Sequence, residues 1–315
     1  MIDASHPRPR VAVGPDPVDE WVHDAVRRGG AAVVDLGDTA EALVWMDPFD
    51  PPRLQAALAR CPAARWVQLP WAGVEDYAAA GVFGDGREWT CGKGVYAEPV
   101  AEHALALGLA GLRHLPERVV ARRWGPMLGR TLYDGRVTIL GGGGIARSLL
   151  ALLAPLRVDA TVVRRSGEPV PGAAGTVALG QLDQLHAALA TADVVVVALS
   201  LTPATTGLLG RAEFDAMQSH AWLVNVARGR HVVTDELVEA LRQGVIAGAA
   251  LDVTDPEPLP EGHPLWDLPN CILTPHSADT PEMIRPLLAA RIAENVHRFA
   301  TGEPLVGGVD PSLGY

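Results

Sequence analysis

Cysteine is scarce in this chain: three in 315 residues, at positions 61, 91 and 271, with no CxxC spacing. An odd, sparse set of this kind builds no disulfide framework; it reads as reduced thiols, each expected as a small buried hydrophobe. Metal-binding patterns are missing too. The 10 histidines form no HExxH and no paired metal spacing, so no metal site is expected. No long apolar run occurs. The longest plain one, Val194 to Leu199, is far too short to span a bilayer, and the opening MIDASHPRPR contains no apolar signal core. Positive charge is outnumbered: 26 Lys and Arg against 37 Asp and Glu leave a net charge of −11. That balance argues against nucleic acid or an anionic membrane as a partner. There are no internal repeats and no low-complexity tract. Together these absences set the expectation of a cytoplasmic protein acting on small molecules.

What is present is a long alternation of strand and helix signals. The chain is long enough for two domains, and 48% hydrophobic residues supply sizeable cores. The 33 Gly and 26 Pro are dispersed, as suits a loop-rich α/β protein. Strands are predicted at Arg10–Val13, Leu43–Met46, Arg65–Leu69 and Glu88–Cys91, with helices at Val18–Arg28 and Pro52–Ala59 between them. A long helix follows from Glu98 to Leu115, with Val100, Ala104, Leu107 and Gly111 on one face. The stretch Arg113–Arg136 is rich in arginine and contains Trp124. A second series then offers strands at Val137–Leu140, Val158–Val163, Val194–Leu199, Leu223–Val226, Ala249–Val253 and Cys271–Thr274. Helices at Ile145–Leu156, Gln181–Ala190, Ala212–Gln218 and Thr234–Gln243 separate most of them. Thr234, ahead of Asp235 and Glu236, reads as a helix start and Gly244 as its stop. A last helix is expected at Pro281–Ala300. Such alternation implies parallel sheets with crossover helices.

The segment VTILGGGGIA, residues 137–146, places GxGxxA between a strand and a helix. Gly141 permits the tight turn, Gly143 lets a pyrophosphate approach the backbone, and Ala146 is small enough for the helix to pack on the strand. The helix start, Gly144 and Ile145, then turns free N–H groups toward an anion. Ile145, Leu149, Leu152 and Leu156 supply the amphipathic face that the motif needs for context. The next strand ends at Val163. An NAD site usually has Asp or Glu there for the ribose hydroxyls, whereas this chain has Arg164, Arg165 and Ser166. A guanidinium binds a 2′-phosphate that a carboxylate would repel, so NADP is expected in preference to NAD.

Three polar residues follow apolar runs in the last third: Arg228 in LVNVARGR, Glu257 in ALDVTDPEPLP and His276 in CILTPHSA. In open α/β sheets, ligands sit outside the carboxyl ends of the strands. A cation, a carboxylate and an imidazole delivered to that edge can bind a carboxylate and move a proton.

These motifs resemble those of the D-isomer-specific 2-hydroxyacid dehydrogenases. GVYAEPVAEHALAL at 94–107 resembles the interdomain helix of that family, WVQLPWAGVE at 66–75 its substrate loop, and PLVGGVDPSLGY its C-terminus. The similarity runs in order over nearly the whole chain. It implies that Arg228 clamps the substrate carboxylate and polarises the keto oxygen, and that His276 donates the proton. Glu257 would orient His276 and favour its protonated form. Asp252 would position the nicotinamide end, and the amides near Ala72 and Gly73 would bind the carboxylate. Where the family often has Phe after LDV, this chain has Thr254, a change expected to alter packing rather than chemistry. Trp71 is bulky, and either narrows the pocket or stacks on a larger substrate.

The resemblance further implies an architecture of two doubly wound parallel-sheet domains. A Rossmann dinucleotide-binding domain, residues 96–278, is inserted into a flavodoxin-like substrate domain, residues 1–95 with 279–315. The active site is expected in a cleft that closes by hinging near Gly94–Glu98 and Ala278–Pro281, and the Arg113–Arg136 region is expected to form a homodimer contact. The leading expectation is a reductase of small 2-keto acids such as glyoxylate or hydroxypyruvate, making the D-hydroxy acid. An alternative is a dinucleotide-sensing, corepressor-like protein on the same fold.

Overall fold

The computed structural model describes residues 8–310. It divides the chain into two compact units, one running to Tyr96 and resuming at Thr280, the other spanning Ala97–Asp279. In the first, β1 (Arg10–Gly14), α1 (Glu20–Arg28), β2 (Ala32–Val34), β3 (Ala42–Trp45), α2 (Pro51–Arg60), β4 (Trp66–Gln68), α3 (Glu75–Ala79) and β5 (Glu88–Thr90) follow one another. The strands are all parallel, in the order β2-β1-β3-β4-β5. This is the flavodoxin-like order. Pro51 and Pro52 open α2 where a missing N–H costs nothing, and the Asp50 carboxylate accepts from the Arg53 amide to cap it.

The second unit carries α4 (Ala97–Leu112), α5 (Leu115–Val120), β6 (Arg136–Leu140), α6 (Gly144–Leu153), β7 (Asp159–Arg164), β8 (Gly175–Ala178), α7 (Leu182–Leu189) and β9 (Val194–Val197). After these come α8 (Arg211–Ala216), β10 (Trp222–Asn225), α9 (Thr234–Gln243), β11 (Gly248–Leu251) and β12 (Cys271–Leu273). Its seven parallel strands take the order β12-β11-β10-β9-β6-β7-β8. That is the Rossmann arrangement, with the strand order reversing between β6 and β9. The Val194–Val197 run is buried throughout, as expected of a parallel strand covered on both faces. The chain then returns to the first unit through α10 (Pro281–Thr301). Asn295 of α10 is wholly buried and donates to Gln68 Oε1 and to the Val306 carbonyl, each at 2.8 Å. Those bonds tie the returning helix to β4. No helix among the described residues is long and apolar enough to cross a membrane.

Several expectations need correcting. The strands β2 and β8 were not anticipated; both are short edge strands with only half-buried side chains, so neither carries a clear apolar run. The long helix stops at Leu112, not Leu115. His114 adopts a left-handed conformation and Pro116 opens a new helix, α5. On α6 the buried face is Ala146, Leu149, Leu150 and Leu153, whereas Leu152 is 40% exposed. As read from the sequence, by contrast, α9 begins at Thr234 and Gly244 closes it, while the Thr234 hydroxyl donates to the Asp255 carbonyl at 2.9 Å. Likewise Val100, Ala104, Leu107 and Gly111 of α4 are all buried.

Candidate active site

The carboxyl edge of the larger sheet gathers the chemistry. After β6 the chain turns at Gly141, whose φ of +123° and position against the Ala198 carbonyl, 2.2 Å from where a Cβ would lie, admit only glycine. Gly143 caps α6 and has open space where its side chain would be. Among the described residues the amides of Gly142 and Gly143 have no hydrogen-bond partner. The first amides of α6 have no intrahelical acceptor either, so Gly144 and Ile145 add two more donors. This group of N–H groups at a helix start fits a pyrophosphate.

Arg164, the last residue of β7, lies beside that turn: a Cβ on Gly142 would stand 3.1 Å from its Cδ. Arg165 and Ser166 follow it and are exposed. One acidic residue was overlooked on the sequence. Glu168 lies 3.8 Å from the Arg164 guanidinium and 3.4 Å from the Ser166 hydroxyl. It is 73% exposed, so this ion pair is weak and easily opened.

Arg228 stands just past β10 and is half-buried. Buried Asn225 shapes the turn that carries it, donating to the Arg228 carbonyl at 2.9 Å and accepting from the Ala227 amide at 3.1 Å. Gly229 then packs directly on the next loop, where a Cβ would sit 2.0 Å from the carbonyl carbon and oxygen of Thr254. That contact sets the Arg228 turn against the segment bearing Glu257. Thr254, at the position where Phe was expected, does more than pack. Its amide donates to Glu257 Oε2 at 3.3 Å and its hydroxyl to the Pro256 carbonyl at 2.9 Å, which braces the loop.

Glu257 Oε1 lies 2.6 Å from His276 Nδ1, the two side chains being about two-fifths exposed at 39% and 38%. With Nδ1 occupied by a carboxylate, Nε2 is the nitrogen left for a substrate. His276 itself takes a left-handed backbone, φ +51°, uncommon for a residue with a side chain. Its amide donates to the Asp252 carbonyl at 2.8 Å.

Asp252 was expected to reach the nicotinamide end. It is buried under the His276 loop, accepting from Thr274 Oγ1 at 2.6 Å and from the amides of Ser277 and Ala278 at 2.9 and 3.1 Å. Burial alone would raise its carboxyl, but the His103 imidazole 3.4 Å away and hydrogen bonds from Thr274, Ser277 and Ala278 outweigh that and hold it at about 2. It is therefore a fixed carboxylate that anchors the loop. Asp279, also missed, sits three residues past His276. Burial pushes its carboxyl above the usual range, against the opposing pull of His276 and Arg228.

In the smaller unit, Ala72 and Gly73 occupy a turn after β4. Ala72 is exposed, and among the described residues neither amide has a hydrogen-bond partner. Trp71 before them stacks obliquely between Phe49 and Tyr96, ring centres 6.5 and 6.2 Å away. No group of three or more His, Cys, Asp or Glu among the described residues is placed to hold a metal ion.

Residues 104–278 match the family described as D-isomer specific 2-hydroxyacid dehydrogenase, NAD binding domain. The chain is 41% identical over 257 residues to an uncharacterised protein of Corynebacterium melassecola, covering 80% of this chain and 84% of that one. It is 35% identical over 220 residues to the human glyoxylate reductase/hydroxypyruvate reductase, covering 67% of this chain and 66% of the relative. Among solved structures, a D-isomer specific 2-hydroxyacid dehydrogenase of Xanthobacter autotrophicus, in complex with NADPH and MES, superposes with a TM-score of 0.82 at 30% identity. The alignment covers 98% of this chain and 99% of that one. An NADPH-dependent glyoxylate/hydroxypyruvate reductase of Sinorhizobium meliloti, in complex with NADP and sulfate, superposes at 0.81 with 25% identity, over 98% and 100% of the two chains. A glycine cradle at the strand reversal, a carboxylate-held imidazole on the same edge and a family match spanning both agree: the chain belongs to the D-isomer-specific 2-hydroxyacid dehydrogenases and is an NAD(P)-dependent oxidoreductase of that family.

Proposed function

We propose that this protein reduces small 2-keto acids, such as glyoxylate or hydroxypyruvate, to D-2-hydroxy acids, with NADP(H) preferred over NAD(H). The observation that carries the reading is the 2.6 Å contact between His276 Nδ1 and Glu257 on the same sheet edge as Arg228. When bound, the reduced dinucleotide supplies a hydride to the keto carbon. The chain's residues do the rest. The guanidinium of Arg228 binds the substrate carboxylate and polarises the keto oxygen, and the amides of Ala72 and Gly73 hold the same carboxylate. His276 Nε2–H gives its proton to the oxygen as the carbonyl bond pair moves onto it, and Glu257 holds the resulting charge balance and the ring orientation. In oxidation the neutral His276 takes the proton back. Gly141, Gly143, Gly144 and Ile145 cradle the pyrophosphate; Asp252 contributes through the loop that it anchors.

The choice of cofactor rests on Arg164, Arg165 and Ser166 at the end of β7 and on the similar solved structures from Xanthobacter autotrophicus and Sinorhizobium meliloti, which are complexes with NADPH and NADP. Initial rates of NADPH and NADH consumption with glyoxylate, hydroxypyruvate, pyruvate and bulkier 2-keto acids test both halves of the reading. Fast NADPH-linked turnover of the small acids is the expected result. Tight dinucleotide binding without turnover of any acid would return weight to a sensing role. Arg164→Ala is expected to lower the preference for NADPH over NADH by about tenfold or more, since a charge-assisted contact to phosphate is worth about 1.5–3 kcal/mol. An unchanged ratio of kcat/KM values would remove Arg164 from the argument.

The functional unit is proposed as a homodimer in the cytoplasm, in keeping with the three unpaired thiols. The segment after α4 leaves Val119 and Val120 78% and 68% exposed, and Trp124 and Met127 fully so. A run of large exposed apolar residues beside arginines is the composition of an interface core. Sedimentation equilibrium should give twice the chain mass for the wild type and a shift toward monomer for a Trp124→Asp, Met127→Asp double variant. A dimer indifferent to both changes would place the contact elsewhere.

A further inference from the structure

His103 lies in the middle of α4, with its side chain 23% exposed, and plays no part in the mechanism above. Its Nε2 stands 3.2 Å from Thr274 Oγ1 and 3.4 Å from Asp252 Oδ1. Thr274 Oγ1 is in turn 2.6 Å from Asp252 Oδ1. These distances fix the protons. Asp252 is an ionised carboxylate and can only accept, and a threonine hydroxyl has a single hydrogen to give. That hydrogen goes to Asp252, so the Thr274 oxygen accepts from the ring, and His103 carries a hydrogen on Nε2. A directed chain results, from His103 through the Thr274 hydroxyl to the Asp252 carboxylate.

Asp252 also holds the loop that carries His276. Its carboxylate takes the Ser277 and Ala278 amides and its carbonyl takes the His276 amide. These three bonds bracket a residue held at φ +51°. A side-chain-bearing residue stays in that region only where its surroundings over-determine it. The bracket is only as rigid as the carboxylate at its centre. Thr274 and His103 approach Oδ1, the same oxygen that accepts from the Ser277 amide, and so set the rotation of that carboxylate.

We infer that His103 is a positioning residue for the catalytic imidazole: through Thr274 and Asp252 it fixes the backbone that aims His276 at the substrate. The inference rests on the proposed role of His276 as proton donor. A histidine on a helix is thereby coupled to proton delivery without touching the substrate. Sequence spacing gave no sign of this, because 171 residues separate His103 from Thr274.

The test uses the full chain with NADPH and whichever of glyoxylate or hydroxypyruvate is turned over faster, and compares His103→Phe, His103→Gln and His276→Ala. Phenylalanine keeps the ring but has no donor, whereas the glutamine amide nitrogen can occupy the place of Nε2. His103→Phe is expected to lower kcat about tenfold or more, the scale of loss that a small misplacement of a reacting group produces. KM for the keto acid and the NADPH dissociation constant from fluorescence titration should stay within about threefold of wild type, since ground-state binding is not what the residue supplies. The solvent deuterium isotope effect on kcat should rise, because delivery of the His276 proton becomes slower. His103→Gln should recover most of kcat. Wild-type kcat in His103→Phe, with His276→Ala inactive, overturns this inference alone and leaves the proposed function standing. A joint fall of kcat, NADPH affinity and thermal midpoint, with no change in the isotope effect, overturns it in favour of simple packing. Full activity in His276→Ala overturns the site assignment and this inference together.

Discussion

Replacing His276 with alanine is expected to lower kcat by roughly 10²–10⁴-fold, the contribution of a positioned general acid, while the dinucleotide still binds. The expectation follows from the geometry. Glu257 occupies Nδ1 at 2.6 Å, and the ring is fixed by a backbone that Asp252 holds in place through the His276, Ser277 and Ala278 amides. Alanine at 276 removes the donor without filling the cradle at Gly141–Ile145, which lies on other strand ends. Glu257→Gln should be milder, about tenfold or more in kcat, because an amide can still orient the ring but no longer balances the charge that the ring carries. Steady-state kinetics together with NADPH fluorescence titration separate the two quantities. A His276→Ala variant within a few-fold of wild type would mean that another group delivers the proton.

Gly229→Ala is expected to be nearly as damaging, although no atom of Gly229 takes part in the chemistry. A single methyl would stand 2.0 Å from the Thr254 carbonyl group and 2.5 Å from the Asp255 amide nitrogen, and both are backbone that cannot swing aside. Either the Arg228 turn or the Glu257 loop must move. Because displacements of this size can cost about 10²-fold in rate, we expect kcat/KM to fall by about two orders of magnitude. Thermal stability should fall as well, since overpacking of this kind costs about 1–3 kcal/mol. The neighbouring Arg230 is exposed, and Arg230→Ala provides the control, with near wild-type rates expected. Equal rates for Gly229→Ala and Arg230→Ala would show that the Arg228 turn tolerates movement.

Much of this protein was legible from its chain. The four valines at 194–197 read as a strand covered on both faces, and GGGGIA at 141–146 read as a tight turn joining a strand to a helix, as the structure has them. Arg228, Glu257 and His276 each followed an apolar run, so a parallel sheet had to deliver all three to one edge. The errors have physical causes as well. The edge strands β2 and β8 carry half-buried side chains and so lack the apolar signature. The α6 face was taken out of phase, Leu149 apart, because Ile145, Leu152 and Leu156 are as apolar as the buried Ala146, Leu150 and Leu153.

What the sequence determined by itself was therefore periodic or strictly local: the alternation of elements, the glycine turn and the residue types at the strand ends. Hydrophobic spacing and turn chemistry act between near neighbours, and a chain reports them directly. What only the tertiary structure decided were pairings across long separations. Asp252 became an anchor of the His276 loop, Thr254 a brace for Glu257, Gly229 a spacer against Thr254, and His103 a partner of Thr274. Each depends on which strand end lies beside which. That is fixed by the order β12-β11-β10-β9-β6-β7-β8 and by close packing between loops, neither of which leaves a local trace in the order of the residues.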